Sequence, residues 1–122
     1  MAAGYWGKIL VVDLSSESTQ TMDLPVDVAK KFLGGRGLIA WYMWYHTNKG
    51  RAPLSPESPF IIAPGPFNGT AIPAPRSCMG FKSPHTGLIA YVRSGGSTPI
   101  CTNTKRAGWD AIIVKGKASR LS

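Results

Sequence analysis

Residues 60–96 read FIIAPGPFNGTAIPAPRSCMGFKSPHTGLIAYVRSGG, and this stretch decides the fold. Short apolar runs alternate in it with turns rich in glycine, proline and asparagine. Such a pattern predicts several short β-strands joined by tight connections. We expect strands at 60–63, 77–82 and 88–93. The turn at 83–87 makes the last two antiparallel neighbours.

The flanking sequence adds a hairpin, two helices and a last strand. Alternating or continuous apolar patterns predict strands at 8–14, 19–24 and 110–115, and helices at 26–33 and 38–45. Between residues 97 and 105 no clear period predicts an element. The expected fold class is α+β, a mostly antiparallel β-sheet with two helices packed to one side. In the second helix Leu38, Trp41 and Tyr45 form a stripe, with Tyr42 beside it, that we interpret as core.

Length and composition exclude several classes of protein. The 122 residues are 43% hydrophobic, which suits one domain with a core. No apolar stretch is long enough to cross a bilayer, and the first residues do not resemble a signal peptide, so we expect a soluble cytoplasmic protein without membrane contact. With Cys78 and Cys101 as the only cysteines, this chain alone cannot provide four thiolates to zinc or an iron–sulfur cluster.

The net charge of +8 is concentrated in the second part of the chain. Residues 51–122 carry nine Lys/Arg against two Asp/Glu, whereas residues 1–50 carry five against four. A phosphorylated ligand or a polyanion would therefore meet the second part. A small basic module for nucleic acid is the alternative hypothesis, and it is less favoured because the basic residues are dispersed and the aromatic helix lies in the neutral part.

The sequence assigns no catalytic residue and no metal-ligand set. His46 ends the aromatic helix and His85 lies in a turn, and both are interpreted as surface histidines. Neither a nucleophile with a base nor a pair of carboxylates is recognisable, since Glu57 and Asp110 stand alone. Gly34-Gly35-Arg36-Gly37 follows a helix and not a strand, so we interpret it as a helix–helix corner, with a phosphate loop as the alternative.

Arg76 and Arg93 are the candidate ligand-binding residues. Arg76 opens one strand and Arg93 closes its antiparallel neighbour, so the two guanidinium groups can lie near one edge and donate paired hydrogen bonds to a phosphate. Ser94, Gly95 and Gly96 follow, adding a hydroxyl and backbone amides that no Cβ obstructs. The alternative is two solvated arginines at the ends of loops.

Six motifs in one order resemble the tungsten-containing aldehyde ferredoxin oxidoreductases. They run from residue 4 to about residue 118. In sequence they are GYWGKILVVDLS (4–15), KFLGGRGL (31–38), PLSPESP (53–59), APGPFNGT (63–70), KSPHTG (82–87) and RAGWDAIIVKGKA (106–118).

The resemblance implies a cofactor site. In that family the N-terminal domain consists of two similar halves and forms the base for a tungsten (or molybdenum) bis-pyranopterin, whose two pterins are bridged by magnesium through their phosphates. This chain resembles the first half, with a half-domain at 1–118 and a tail at 119–122. By position, Arg76 matches the arginine at the pterin phosphate and Gly95 a glycine whose backbone approaches the pterin. Arg93 replaces a common asparagine, and its charge would repel magnesium.

The resemblance also implies that this chain is one part of an oxidoreductase. The family oxidises aldehydes to carboxylic acids and passes the electrons through a 4Fe–4S cluster to ferredoxin. The family's cluster cysteines and catalytic carboxylate and histidine match nothing here. We therefore expect a cofactor-cradling part that works with a companion chain carrying the remaining domains. The alternative is a truncated remnant without a function, which self-associates through an uncovered apolar face.

Overall fold

Short apolar or alternating runs form the strands of a mixed sheet, and helices lie beside it. The computed structural model describes residues 3–73, 75–93 and 99–121. The elements are β1 (Lys8–Asp13), β2 (Ser18–Asp23), α1 (Val26–Phe32), α2 (Gly35–Tyr45), β3 (Phe60–Pro64), β4 (Ser77–Lys82), β5 (Ile89–Arg93), α3 (Pro99–Arg106) and β6 (Ala111–Lys115). Among the described residues, no helix has the length and apolar content that crossing a bilayer requires.

The six strands form one sheet in the order β2-β1-β6-β3-β4-β5. The pairs β1–β2, β3–β4, β3–β6 and β4–β5 are antiparallel, and β1–β6 is parallel. The prediction of an α+β fold with a mostly antiparallel sheet is confirmed. The parallel pair arises because β6 enters the centre of the sheet between the N-terminal hairpin and β3.

The two faces of the sheet differ in burial. On one face, which we call the helix face, Ile9, Ile61 and Ile113 are buried and belong to one core cluster with Leu38, Ile39 and Trp41 of α2. Gly80 of β4 also lies on this face, where a Cβ would overlap with Ile39 Cγ2. The alternate residues of the same strands lie on the opposite face, which we call the open face. Most of them are only partly buried, but Pro64 and Ser77 at one end of this face are buried.

The interpretation of the α2 stripe as core is correct except at its end. Leu38, Trp41 and Tyr42 are at most 8% exposed, but Tyr45 is 67% exposed. Tyr45 is the last residue of α2, where the helix has passed the edge of the core. The prediction thus fails where the helix ends.

At the corner before α2, helix α1 ends on a leucine and not on a glycine. Leu33 adopts the left-handed conformation at the end of α1, with φ of 52°, and its N–H donates to the carbonyl oxygen of Ala29. Helix α2 then begins at Gly35, three residues before the predicted start. Gly37 is required at this corner, because a Cβ there would overlap with the carbonyl oxygen of Phe32.

Helix α3 forms where the sequence predicts no element. Its sequence PICTNTKR contains two threonines and an asparagine, which are weak helix formers. Tertiary contacts compensate: Cys101 is fully buried, and Lys105 is 5% exposed. Helix α3 lies beside the end of the sheet where β1 and β6 begin, since the Nζ of Lys105 donates to Gly4 O at 2.7 Å.

Candidate cofactor-binding site

The two arginines selected from the sequence lie at the same end of the β4–β5 strand pair. Arg93 is the last residue of β5 and pairs with Cys78, and Arg76 precedes Cys78 by two residues. Both arginines are exposed. Paired residues of antiparallel strands project to the same side of a sheet, so Arg93 belongs to the helix face with Cys78. The predicted residues Ser94, Gly95 and Gly96 lie outside the described part of the chain.

A third arginine, Arg36 in the first turn of α2, reaches the same strand pair. Its guanidinium carbon lies 5.9 Å from the centroid of the Tyr91 ring. Tyr91 is two residues before Arg93 on β5 and pairs with Gly80. Sequence reasoning had assigned Arg36 to a structural corner. The Ile39–Gly80 contact, which fixes α2 over β4, was the missing information.

The start of α2 packs on the turn that follows β3. Gly34, with φ of 66°, comes so close to this turn that a Cβ would lie 3.2 Å from both Pro64 O and Pro66 Cδ. On the other side of the turn, a Cβ on Gly65 would lie 3.1 Å from Arg76 O. The positive end of the α2 dipole therefore lies at the same end of the sheet as Arg76 and Arg93. No acidic residue occurs in the first turn of α2.

The electrostatics of this end favour an anion. Within the described residues the one ion pair joins Lys105 to Asp110 at 2.7 Å, so no described carboxylate forms an ion pair with Arg36, Arg76 or Arg93. Three guanidinium groups and a helix N-terminus without acidic partners leave positive charge available for a ligand. We call Arg36, Arg76 and Arg93 together the arginine end.

The buried pair Lys105–Asp110 anchors the N-terminal segment beside the arginine end. The Asp110 carboxylate accepts hydrogen bonds from the backbone N–H groups of Trp6 (3.0 Å) and Gly7 (2.6 Å) as well as from Lys105 Nζ. The indole Nε1 of Trp6 donates to Lys105 O at 2.6 Å. Sequence reasoning took Asp110 as isolated, because its partners are about a hundred residues away in the chain or belong to the unpredicted α3.

A cavity of about 560 Å³ lies between the N-terminal segment, the loop at 66–70 and the end of α3. Asn68 lines it, and Asn68 Oδ1 accepts from Gly65 N at 2.8 Å. The cavity is thus next to the turn that contacts Arg76. Neither Arg76 nor Arg93 lines it. The cavity and the arginine end are neighbouring but separate features.

The remaining titratable candidates lie elsewhere. His46 is exposed and stacks on Tyr42 with a centroid distance of 4.9 Å, and His85 is exposed in its turn. Within the described ranges no three histidine, cysteine or acidic side chains gather as a metal site requires. The three guanidinium groups of the arginine end suit the binding and orientation of an anion.

Sequence comparison identifies the family. The profile of the aldehyde ferredoxin oxidoreductase N-terminal domain matches residues 9–122. This chain belongs to that family. Its match continues to residue 122, whereas the boundary at 118 inferred from the motifs stays a prediction.

Several curated relatives of this chain are named tungsten-containing aldehyde ferredoxin oxidoreductases. The tungsten-containing aldehyde ferredoxin oxidoreductase of Pyrococcus horikoshii is 44% identical over 116 residues, covering 94% of this chain and 19% of the relative. The enzyme of the same name from Thermococcus kodakarensis is 39% identical over 118 residues, which cover 96% of this chain and 19% of the relative. A WOR-like subunit of an aliphatic sulfonate oxidoreductase from Pyrococcus furiosus is 37% identical, and the match covers 93% of this chain and 18% of that subunit. The chain thus spans about a fifth of the length of these relatives.

A solved structure has the same fold. The active-site complex BamBC of benzoyl coenzyme A reductase, in complex with 1,5-dienoyl-CoA, matches with a TM-score of 0.91 and 33% identity. The match covers 99% of this chain and 18% of that chain. The N-terminal domain fold of the aldehyde ferredoxin oxidoreductases therefore also occurs in an enzyme whose name describes a different reaction.

Proposed function

We propose that this chain holds the phosphate end of a tungsten or molybdenum bis-pyranopterin, as the first part of an aldehyde ferredoxin oxidoreductase-like enzyme. The observation that carries the proposal is the arginine end, where Arg36, Arg76 and Arg93 lie beside the N-terminus of α2 without a described acidic partner. When bound, the metal of such a cofactor supplies two-electron redox chemistry. This chain's own residues bind and orient the cofactor.

The residues of the arginine end have the properties that a phosphate requires. A guanidinium group donates two parallel N–H bonds that match two phosphate oxygens. The backbone of Arg76 is fixed where its carbonyl packs against Gly65, and the backbone of Arg93 is fixed by pairing with Cys78 in the sheet. Arg36 is oriented by the ring of Tyr91. Positioned groups lose less freedom on binding than mobile ones, which favours affinity.

The complete reaction requires further polypeptide. The relatives are about five times longer than this chain. We propose that this chain takes part in the oxidation of aldehydes with transfer of electrons to ferredoxin. We propose a companion chain that supplies the cluster and the catalytic groups. Purified without it, this chain should retain no stoichiometric tungsten or molybdenum. Elemental analysis that finds one metal per chain would contradict the need for a companion.

Binding of a phosphorylated pterin tests the role of the arginines. The probe is a pterin phosphate, titrated against the chain by calorimetry. We expect Arg76→Ala and Arg93→Ala each to weaken binding at least about tenfold, the effect of losing a charge-assisted hydrogen bond. Arg120→Ala is the matched control, because Arg120 is exposed and lines a different depression together with Val12 and Ser119.

Two results would contradict the proposal. If Arg76→Ala binds as tightly as the unmodified chain, the arginine end does not hold the phosphate. If Arg120→Ala weakens binding as much as Arg76→Ala does, the chain binds anions through its overall charge, as expected of the alternative polyanion-binding module. A steep loss of affinity for single-stranded DNA with added salt would then support that alternative.

A further inference from the structure

The cavity between the N-terminal segment, the loop at 66–70 and α3 is formed by segments of this chain that contact one another. The N-terminal segment packs on the loop, because a Cβ on Gly4 would lie 3.4 Å from Pro66 Cβ. The loop in turn packs on α3, because a Cβ on Gly69 would lie 3.4 Å from Lys105 Cβ. The bond from Lys105 Nζ to Gly4 O joins α3 to the N-terminal segment. The shape of the cavity therefore depends on contacts within the described part of the chain.

The size and the lining of this cavity suit a small organic ligand. Its volume of about 560 Å³ lies within the range of roughly 300–1,000 Å³ that small-molecule sites have. Tyr5, Trp6 and Pro66 line it, so much of its wall is apolar and ring-shaped. Small-molecule sites combine such walls with a few polar groups that orient the ligand. A ligand with a flat apolar body matches the walls of this cavity.

Two residues that line the cavity carry a buried polar atom without a hydrogen-bond partner among the described residues. These atoms are Nδ2 of Asn68 and the hydroxyl of Tyr5. Asn68 is 2% exposed, and its Oδ1 already accepts from Gly65 N, which leaves Nδ2 as a free donor. Burial raises the pKa of the Tyr5 phenol, so its hydroxyl keeps the proton and can also donate. Native structures leave few buried polar atoms unpaired, so these two donors indicate a ligand with acceptor oxygens.

The charge around the cavity favours an anion. Among the described residues that line it, Lys105 and Arg106 are basic and none is acidic. Asp110 neutralises Lys105, whereas the exposed Arg106 forms no ion pair with a described carboxylate. A Cβ on Gly69 would lie 3.7 Å from Arg106 Cγ, so the stem of this arginine lies against the loop that lines the cavity. Because hydrogen bonds to an ionised acceptor are stronger than neutral ones, a carboxylate matches both the donors and the charge.

We infer that this cavity binds a small aromatic carboxylate, whose oxygens accept hydrogen bonds from Asn68 Nδ2 and the Tyr5 hydroxyl and whose charge is attracted by Arg106. The inference goes beyond the proposed function, because neither Arg76 nor Arg93 lines the cavity. The two proposals depend on different residues and are tested with different probes. Failure of one therefore does not imply failure of the other.

Titration of the whole chain with naphthoate, followed by NMR of its backbone and indole N–H groups, tests the site. We expect saturable shifts at Gly4, Trp6 and Gly69, which line the cavity. Naphthalenemethanol has the same rings and no charge. It should bind at least about tenfold more weakly, because its hydroxyl is a weaker acceptor than a carboxylate and does not attract Arg106.

Two variants separate the contributions of the hydroxyl and the charge. Tyr5→Phe keeps the ring and loses the donor, and Arg106→Gln loses the charge at an exposed position. Each should weaken the binding of naphthoate at least about tenfold, the effect of losing a hydrogen bond or an attraction to an ionised group. Arg120→Gln is the matched control, because it removes the same charge from an exposed arginine that lines a different depression.

Four results would overturn the inference. Naphthoate could cause no saturable shift, or it could shift only the signals of Arg76 and Arg93, which would place the carboxylate at the arginine end. Equal losses of affinity in Arg106→Gln and Arg120→Gln would show that the chain attracts the anion through its overall charge. Naphthalenemethanol that binds as tightly as naphthoate would show that the cavity takes apolar rings without selecting an anion.

Discussion

Asp110 is the residue on which the N-terminal segment depends most. It is 2% exposed, and its carboxylate accepts from three backbone N–H groups, those of Trp6, Gly7 and Lys8, and from the buried Lys105 ammonium. A buried charge is tolerated only when it is paired and hydrogen-bonded, and both conditions hold here. The carboxylate thus ties the residues before β1 to α3 and β6.

Asp110→Asn should strongly destabilise the chain. The amide leaves the Lys105 ammonium buried without its counter-charge, and its NH₂ group cannot accept from the N–H groups that face it. We expect a loss of about 3–5 kcal/mol in the free energy of unfolding, the usual effect of breaking a buried pair. Urea denaturation measures it, with Glu57→Gln as the exposed control. Equal stabilities of the two variants would mean that the pair contributes nothing.

Tyr5 gives the stability a dependence on alkaline pH. Burial, and in second place the negative charge of Asp110, raise the pKa of the Tyr5 phenol above its ordinary value of 10.0. The folded chain thus keeps this proton at a pH where the unfolded chain has lost it. The contribution to stability is complete below about pH 10 and is lost as the pH rises through the pKa of the folded state.

Tyr5→Phe should therefore flatten the loss of stability above about pH 10. At neutral pH the substitution should cost little, because the Tyr5 hydroxyl has no hydrogen-bond partner among the described residues. Denaturation at neutral and alkaline pH measures the difference. Tyr45→Phe is the control, since Tyr45 is 67% exposed. A Tyr5→Phe variant with the same alkaline loss as the unmodified chain would contradict the argument.

At the scale of elements, the contact between α2 and β4 positions the arginine end. Gly80 lets Ile39 approach the sheet, and this contact places Arg36, one turn earlier in α2, over Tyr91. Because Ile39 is fully buried, it has no space into which to move. The distance between α2 and β4 therefore depends on Gly80 having no side chain.

Gly80→Ala should destabilise the chain by about 1–3 kcal/mol, the usual cost of overpacking. The double variant Gly80→Ala/Ile39→Leu should recover part of this loss, because leucine lacks the Cγ2 methyl with which the new Cβ overlaps. Gly50→Ala serves as the control, since no atom lies within 4 Å of a Cβ there. Thermal unfolding compares the variants. A double variant less stable than the sum of its single changes would refute this account of the clash.

The elements also show why sequence reasoning succeeded in some places and failed in others. Strands β1, β3 and β6 are short, nearly continuous apolar runs, and the pairing of β4 with β5 follows from the short turn between them, so these features were predictable. Helix α3 was not, because it is stabilised by distant contacts of Cys101 and Lys105 and not by its own periodicity. The position of Arg36 over Tyr91 also depends on a tertiary contact, that of Ile39 with Gly80.

At the scale of the whole molecule, the distribution of charge separates two surfaces. The arginine end collects positive charge at one end of the helix face, whereas the open face carries almost none. The excess of basic residues in the second part of the chain predicted a surface for an anion, but the sequence could not show that the first part contributes Arg36. The helices decide which face of the sheet stays uncovered. Only the structure shows on which face they pack.

Because of the charge of Arg93, we expect phosphate binding not to require magnesium. Because a guanidinium group already supplies positive charge at this end, we expect the chain to bind a pterin phosphate equally well with and without a chelator such as EDTA. Arg93→Asn should bind more weakly, and its affinity should rise when magnesium is added. Calorimetric titration compares the four conditions. A fall in the affinity of the unmodified chain on chelation would show that a divalent cation takes part despite Arg93.

The most direct test of the central claim is a crystal structure of this chain with a bound pterin phosphate. We expect the phosphate oxygens to lie within hydrogen-bond distance of the guanidinium groups of Arg76 and Arg93, at the end of the β4–β5 pair. A phosphate bound at any other place, with both of these arginines free of it, would show that the arginine end does not hold the cofactor's phosphate.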